Sequence, residues 1–119
     1  MADHEHLYPP ATIELARERA RLAPAQARAF RAFSESVFAD GSLPAKTKQL
    51  IAVAVAHTTQ CPYCIRSHTR TALRKGATPE EIMEAIWVAA EMRAGGAYAH
   101  SALALDVIAE AANEPGRPA

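Results

Sequence analysis

The chain carries two thiols and an imidazole in the run Cys61-Pro62-Tyr63-Cys64-Ile65-Arg66-Ser67-His68. Pro62 suits the first position of a helix, where a missing N–H costs nothing, so Cys61 falls at the cap and Cys64 on the first turn. Residues three and four apart on a helix share a face, which puts Cys61, Cys64 and His68 in one stripe. A thiol near a helix N-terminus, beside a histidine and paired as C-x-x-C, has its pKa drawn from about 8.5 into roughly the 3.5–7.5 range. The thiolate is the nucleophile, so Cys64 is available to attack at neutral pH. The helix dipole taken alone favours Cys61 as the more acidic sulfur. The second cysteine can resolve a mixed disulfide or a sulfenic acid formed on the first, and the chemistry expected is dithiol redox cycling.

Three plainer uses of the pair stand beside it. Buried cysteines pack as small hydrophobes. A structural disulfide across so short a loop closes little chain entropy and contributes little stability. A metal site needs further ligands; His57 and His100 are the nitrogens at hand, and the sequence has no second C-x-x-C. No metal or cofactor is therefore expected.

These residues need a scaffold of modest size. At 119 residues the chain is read as one domain, able to bury about two thirds of the surface its unfolded form exposes. Lys and Arg total 13 against 13 Asp and Glu, interspersed, which gives no electrostatic draw to nucleic acid or anionic lipid. Neither a signal peptide nor an apolar run of about 18 residues is visible, so a cytoplasmic protein is expected. There a C-x-x-C is more often catalytic or metal-binding than structural.

Residues 1–10, with His4, His6 and Pro9-Pro10, read as a flexible arm, 11–112 as a single helical domain and 113–119 as a flexible tail. From Ala11 to Leu22 the chain is rich in helix-forming Ala, Arg and Glu with few apolar anchors, which predicts a surface helix. Pro24 opens a second helix to about Phe38, with Phe30, Phe33 and Val37 as its apolar stripe. Asp40-Gly41-Ser42 stops it, and Pro44 restarts a helix whose stretch from Leu50 to Ala56 is apolar all round and must be covered on every side. His57 to Gln60 reads as a link to the cysteine helix, which ends at Gly76. Thr78-Pro79-Glu80-Glu81 is a capping box that opens a helix with Ile82, Ala85, Ile86 and Ala89 on one face. Trp87 and Val88 lie off that face and suggest a subunit contact or the wall of a redox pocket. Gly95-Gly96 reads as a break or a close helix contact, with a last helix from about Ala97 to Ala112. No strand signal is seen, and abundant alanine gives each helix a thin core contribution, so an oligomer is expected.

The stretch from Leu43 to about Leu105 resembles the carboxymuconolactone decarboxylase-like superfamily, and within it the alkylhydroperoxidase D-like branch. The resemblance rests on Leu43-Pro44-Ala45-Lys46-Thr47-Lys48, on Ala56 to Cys64 with Ile65-Arg66-Ser67-His68, on Gly76-Ala77-Thr78, and on Arg93 to Ser101. It implies an all-α subunit of about six helices that forms homotrimers or homohexamers. It also implies reduction of an organic hydroperoxide by the dithiol, which a lipoylated or thioredoxin-like partner then re-reduces. Carried over by position, Cys64 matches the attacking cysteine, Cys61 the resolving one, and His68 the histidine that joins the attacking thiol to a proton relay. The relay of the family usually has a glutamate twelve residues before the first cysteine, where this chain has Gln49. An amide donates and accepts hydrogen bonds yet takes no proton, so the thiol is expected to be less activated unless a carboxylate such as Glu91 stands in. Tyr63 stands where the family often has histidine, and His57 and His100, inside family-like segments, are further candidates to line the pocket.

Two other functions fit parts of this pattern. A decarboxylase-type enzyme acting on a lactone acid would use His57, His68 or His100 as acid or base, although such family members typically lack the cysteine pair. A redox-sensing oligomer would switch its assembly through the dithiol without turnover.

Overall fold

The computed structural model describes residues 7–116, which form five α-helices and no strand. They are α1 (Ile13–Leu22), α2 (Pro24–Phe38), α3 (Ala45–Thr59), α4 (Pro62–Arg74) and α5 (Pro79–Ala112). His4 and His6, most of the expected N-terminal arm and the last three residues of the expected tail lie outside the described residues. No helix among the described residues is long and apolar enough to cross a membrane. The chain divides into two compact units, Met1–Lys48 and Gln49–Ala119.

In the first unit, Thr12 caps α1 by accepting from the Leu15 N–H at 3.2 Å, which leaves Ala11 outside the helix. Ala23 alone separates α1 from α2, and Pro24 is the first residue of α2. Phe30 and Phe33 pair with ring centroids 6.4 Å apart, yet they remain 69 % and 63 % exposed. At the start of α3 the Ala45 N–H donates to Asp40 Oδ1 at 2.7 Å, and Lys48 Nζ donates to the Ala39 carbonyl at 2.6 Å. Asp40 thus ends one segment and caps the next.

The second unit is built on a small core of Val53, Ala72, Ala77 and Ile82, with Leu50 and Ile86 packed against it. Along α3 the buried residues are Gln49, Val53 and Ala56, at i, i+4 and i+7. Ile51 and Val55, on its other sides, are 47 % and 53 % exposed. The all-round apolar stretch is therefore covered on one face by its own chain.

Both junctions in this unit are built alike. Gln60 adopts a left-handed φ of 57° after α3, and the following Cys61 N–H reaches back to the Ala56 carbonyl at 3.1 Å. Gly76 has φ of 93° after α4, and the Ala77 N–H reaches back to the Ala72 carbonyl at 2.9 Å. Each is a Schellman closure, in which one left-handed residue turns the chain and satisfies the last carbonyls. Proline then opens the next helix, Pro62 in α4 and Pro79 in α5. The expected capping box is present, with Thr78 and Glu81 exchanging bonds at 2.9 and 3.1 Å.

Two expectations are corrected. The segment His57-Thr58-Thr59 belongs to α3 and is not a link, because the chain turns only at Gln60, where the Cys61 N–H closes on the Ala56 carbonyl; the Thr58 and Thr59 hydroxyls bond back to Ala54 O and Ala56 O along the helix. Gly95-Gly96 does not break the chain, so the count is five helices and not about six: α5 runs unbroken for 34 residues. Glycine weakens a helix interior by roughly 1 kcal/mol relative to alanine, but it keeps its N–H in the ladder, and the alanines and leucines around it sustain the helix.

The two closures give opposite predictions. At Gly76 a Cβ would meet nothing within 4 Å, so Gly76→Ala carries only the left-handed conformational cost. It should destabilise by about 1 kcal/mol, whereas Gln60→Gly should stabilise by about 0.5 kcal/mol. Denaturant unfolding of the two variants checks both signs.

Candidate active site

Cys61 ends one helix closure and begins the next helix. Its N–H is held by α3 through the Ala56 carbonyl, while its sulfur accepts the Cys64 N–H at 3.3 Å as the N-cap of α4. Its side chain is therefore aimed along the α4 axis, at the positive end of the helix dipole. Cys64 follows on the first turn, and the two sulfurs lie 2.6 Å apart as free, partly buried thiols.

The hydrogen bonds divide the charge between them. The Cys64 S–H and N–H both serve Cys61, which lowers the pKa of Cys61 below that of an ordinary thiol. The same hydrogen bond to Cys61, then burial, then the neighbouring negative charge raise that of Cys64. Of the two sulfurs, Cys61 is therefore the one that gives up its proton more readily.

His68, one turn beyond Cys64 and partly buried, is fixed from α3. Its Nδ1 lies 2.8 Å from Gln49 Oε1, so the ring donates from Nδ1 and keeps its basic lone pair at Nε2. Burial lowers the pKa of His68, which keeps the ring neutral near pH 7. Gln49 is only 5 % exposed. A buried amide needs a partner, and the imidazole supplies it. Gln49 and Val53 are successive turns of one α3 face, so packing of Val53 in the core sets the height from which Gln49 reaches His68.

The remaining candidates are placed as follows. His57 donates Nδ1–H to the Val53 carbonyl at 2.7 Å, and His100 donates Nδ1–H to the Gly96 carbonyl at 2.8 Å. Each is thereby oriented by its own helix. Tyr63 is 39 % exposed between the cysteines. Glu91 is exposed on α5, with its carboxylate folded toward Gly95. No cluster of three His, Cys, Asp or Glu side chains that could hold a metal occurs among the described residues. Arg93, the first residue of a family-like stretch but given no role from sequence, donates its guanidinium to the Thr58 carbonyl at 3.2 Å and ties α5 to the end of α3 just before the cysteines.

Known proteins resemble this chain in sequence and in fold. The profile of the carboxymuconolactone decarboxylase family matches residues 24–107. Protein 4 of the cox locus of Paracoccus denitrificans is 68 % identical over 82 residues, which are 69 % of this chain and 74 % of that protein. A crystal structure of a carboxymuconolactone decarboxylase family protein from Legionella pneumophila superposes with a TM-score of 0.63 at 36 % identity, covering 82 % of this chain and 86 % of that one. A family protein from Thermotoga maritima, described with a suggested involvement in an antioxidative response, gives a TM-score of 0.52 at 32 % identity, over 55 % of this chain and 67 % of that one. With that profile matching residues 24–107, most of its length, the chain belongs to the carboxymuconolactone decarboxylase family.

Proposed function

We propose that the protein is a thiol-dependent reductase of organic hydroperoxides, of the alkylhydroperoxidase D-like kind, working in the cytoplasm. The observation that carries this reading is the placement of Cys61 at the cap, Cys64 on the first turn and His68 one turn later in α4, with the two sulfurs 2.6 Å apart and the imidazole held in one tautomer by Gln49. The suggested antioxidative involvement of the Thermotoga maritima relative points the same way.

The chemistry follows from the shared charge. A thiolate of the pair attacks the outer oxygen of the hydroperoxide; the S–O bond forms, the O–O bond breaks, and the alkoxide leaves as the alcohol after taking a proton. The other sulfur then attacks the sulfenic acid, an S–S bond forms, and hydroxide leaves as water. His68 Nε2 is the base that receives the proton of Cys64 as that sulfur becomes a nucleophile. Cys61 is the more acidic sulfur, and proton exchange across the 2.6 Å gap can pass negative charge to Cys64, the sulfur that the family resemblance makes the attacker. A lipoylated or thioredoxin-like dithiol returns the pair to the reduced state. The exposed apolar side chains of α5, among them Trp87 at 68 % and Val88 at 60 %, support a self-associating subunit, a homotrimer or homohexamer.

A decarboxylase-type reaction has less support. The Cys61–Cys64 pair, which decarboxylase-type members of the family typically lack, is present and closely spaced.

Three measurements test the reading. Reduced protein mixed anaerobically with one equivalent of an organic hydroperoxide, then alkylated and weighed by mass spectrometry, should show Cys61 and Cys64 linked faster than free cysteine reacts. Cys64→Ser should lose the disulfide and the turnover; consumption of peroxide at the parental rate would sink the proposal. Gln49→Glu places a carboxylate on the Nδ1–H, strengthens Nε2 as a base, and should speed disulfide formation by on the order of tenfold. Alkylation of Cys61 followed against pH should have its midpoint below that of an unperturbed thiol, and Cys64→Ala, which removes a donor, should move that midpoint up.

A further inference from the structure

We propose that the crevice between α1 and α2 receives the C-terminal part of α5 from a second copy of the chain. The inference rests on the self-association read above and names the surfaces that carry it.

The crevice has a volume of about 480 Å³. Its walls repeat one pattern: Ile13, Ala16, Arg17 and Ala20 on α1, and Pro24, Ala27, Arg28 and Arg31 on α2, both at i, i+3, i+4 and i+7. Its lining combines the small side chains of Ala16, Ala20 and Ala27, which allow close approach of another helix, with the charge of Arg17, Arg28 and Arg31. Ile13 and Phe30, at its edge, are 58 % and 69 % exposed.

Charge and helix polarity select the occupant. Arg28 and Arg31 lie in the N-terminal half of α2, whose first turn has no acidic residue, so the positive end of that helix is uncompensated. The C-terminal end of α5 has the opposite defect: Asp106 and Glu110 approach it, and its last turn has no basic residue. On that part of α5, Leu103, Asp106, Val107 and Glu110 fall at i, i+3, i+4 and i+7, so two apolar side chains are flanked by two carboxylates on one face. Leu103 and Val107 are 65 % and 62 % exposed. An apolar ridge with an acidic border fits a crevice lined by small apolar side chains and arginines, and each helix end supplies the charge that the other lacks.

The test uses the full chain, its mass in solution and charge reversal. Wild type should sediment as a multiple of 12.8 kDa. Arg28→Glu with Arg31→Glu in one variant, and Asp106→Arg with Glu110→Arg in another, should each weaken association by about tenfold or more while helical circular dichroism is retained. Mixed together, the two variants should form heteromers that contain both, read by native mass spectrometry. A monomeric wild type would overturn self-association itself. An associated wild type whose variants keep its mass would overturn the crevice alone. Rescue only when all four substitutions share one chain would place the chain's own α5 in the crevice and overturn exchange between copies.

Discussion

The short junction between α3 and α4 governs what this protein can do. Gln60 is the single residue that turns the chain, and Cys61 immediately after it answers to two helices at once: its amide closes α3 and its sulfur caps α4. A residue tied at both ends has few ways to move. The sulfur therefore inherits the orientation of the α4 dipole, and Cys64 is brought to it by the first helical turn without any long-range contact. The chemistry of the pair is local, and its position relative to Gln49 is tertiary, set by Val53, Ala72 and Ile82 packing α3 and α4 into one small core.

The amide at position 49 divides two properties that a carboxylate would combine. Gln49 orients His68 and fixes the proton on Nδ1, which a glutamate would also do. It adds no charge, so it leaves the imidazole neutral and only as basic as its burial allows. Selection of the tautomer survives while strengthening of the base does not. The chain makes up part of the difference within the thiol pair, where the two donors of Cys64 stabilise negative charge on Cys61 without help from the histidine.

Much of this was legible in the sequence because it is encoded locally. Pro62, Thr78, Pro79 and Gly76 are punctuation with a mechanical cause, and the C-x-x-C-x-x-x-H spacing needs only a helix to become a stripe. The partnership of Gln49 with His68, nineteen residues apart, was reached through family resemblance, since no period in one chain connects an amide on one helix to an imidazole on the next. What misled the reading was breaker chemistry overridden by context. Gly95-Gly96 sits inside α5 with neighbours that favour helix, and Thr58 and Thr59 belong to α3, their hydroxyls bonded back to its own carbonyls. Gln60 in a left-handed turn gave no signal, because glycine or asparagine is the usual mark of that position.

The composition that keeps the core thin also explains why so much apolar surface is left over. Ala56, Ala72, Ala77 and Ala89 let helices approach closely, but each removes little area from water. Val53 is the one large side chain that is fully buried among the described residues. Larger side chains such as Trp87, Met92, Leu103 and Val107 are more than half exposed and point away from that core. A subunit that spends its small residues inside and presents its large ones outside gains its main hydrophobic stabilisation when those outer faces are covered. In the proposed assembly, fold stability and association would be linked by mass action, and the dithiol junction, which depends on α3 and α4 staying packed, would share in that linkage.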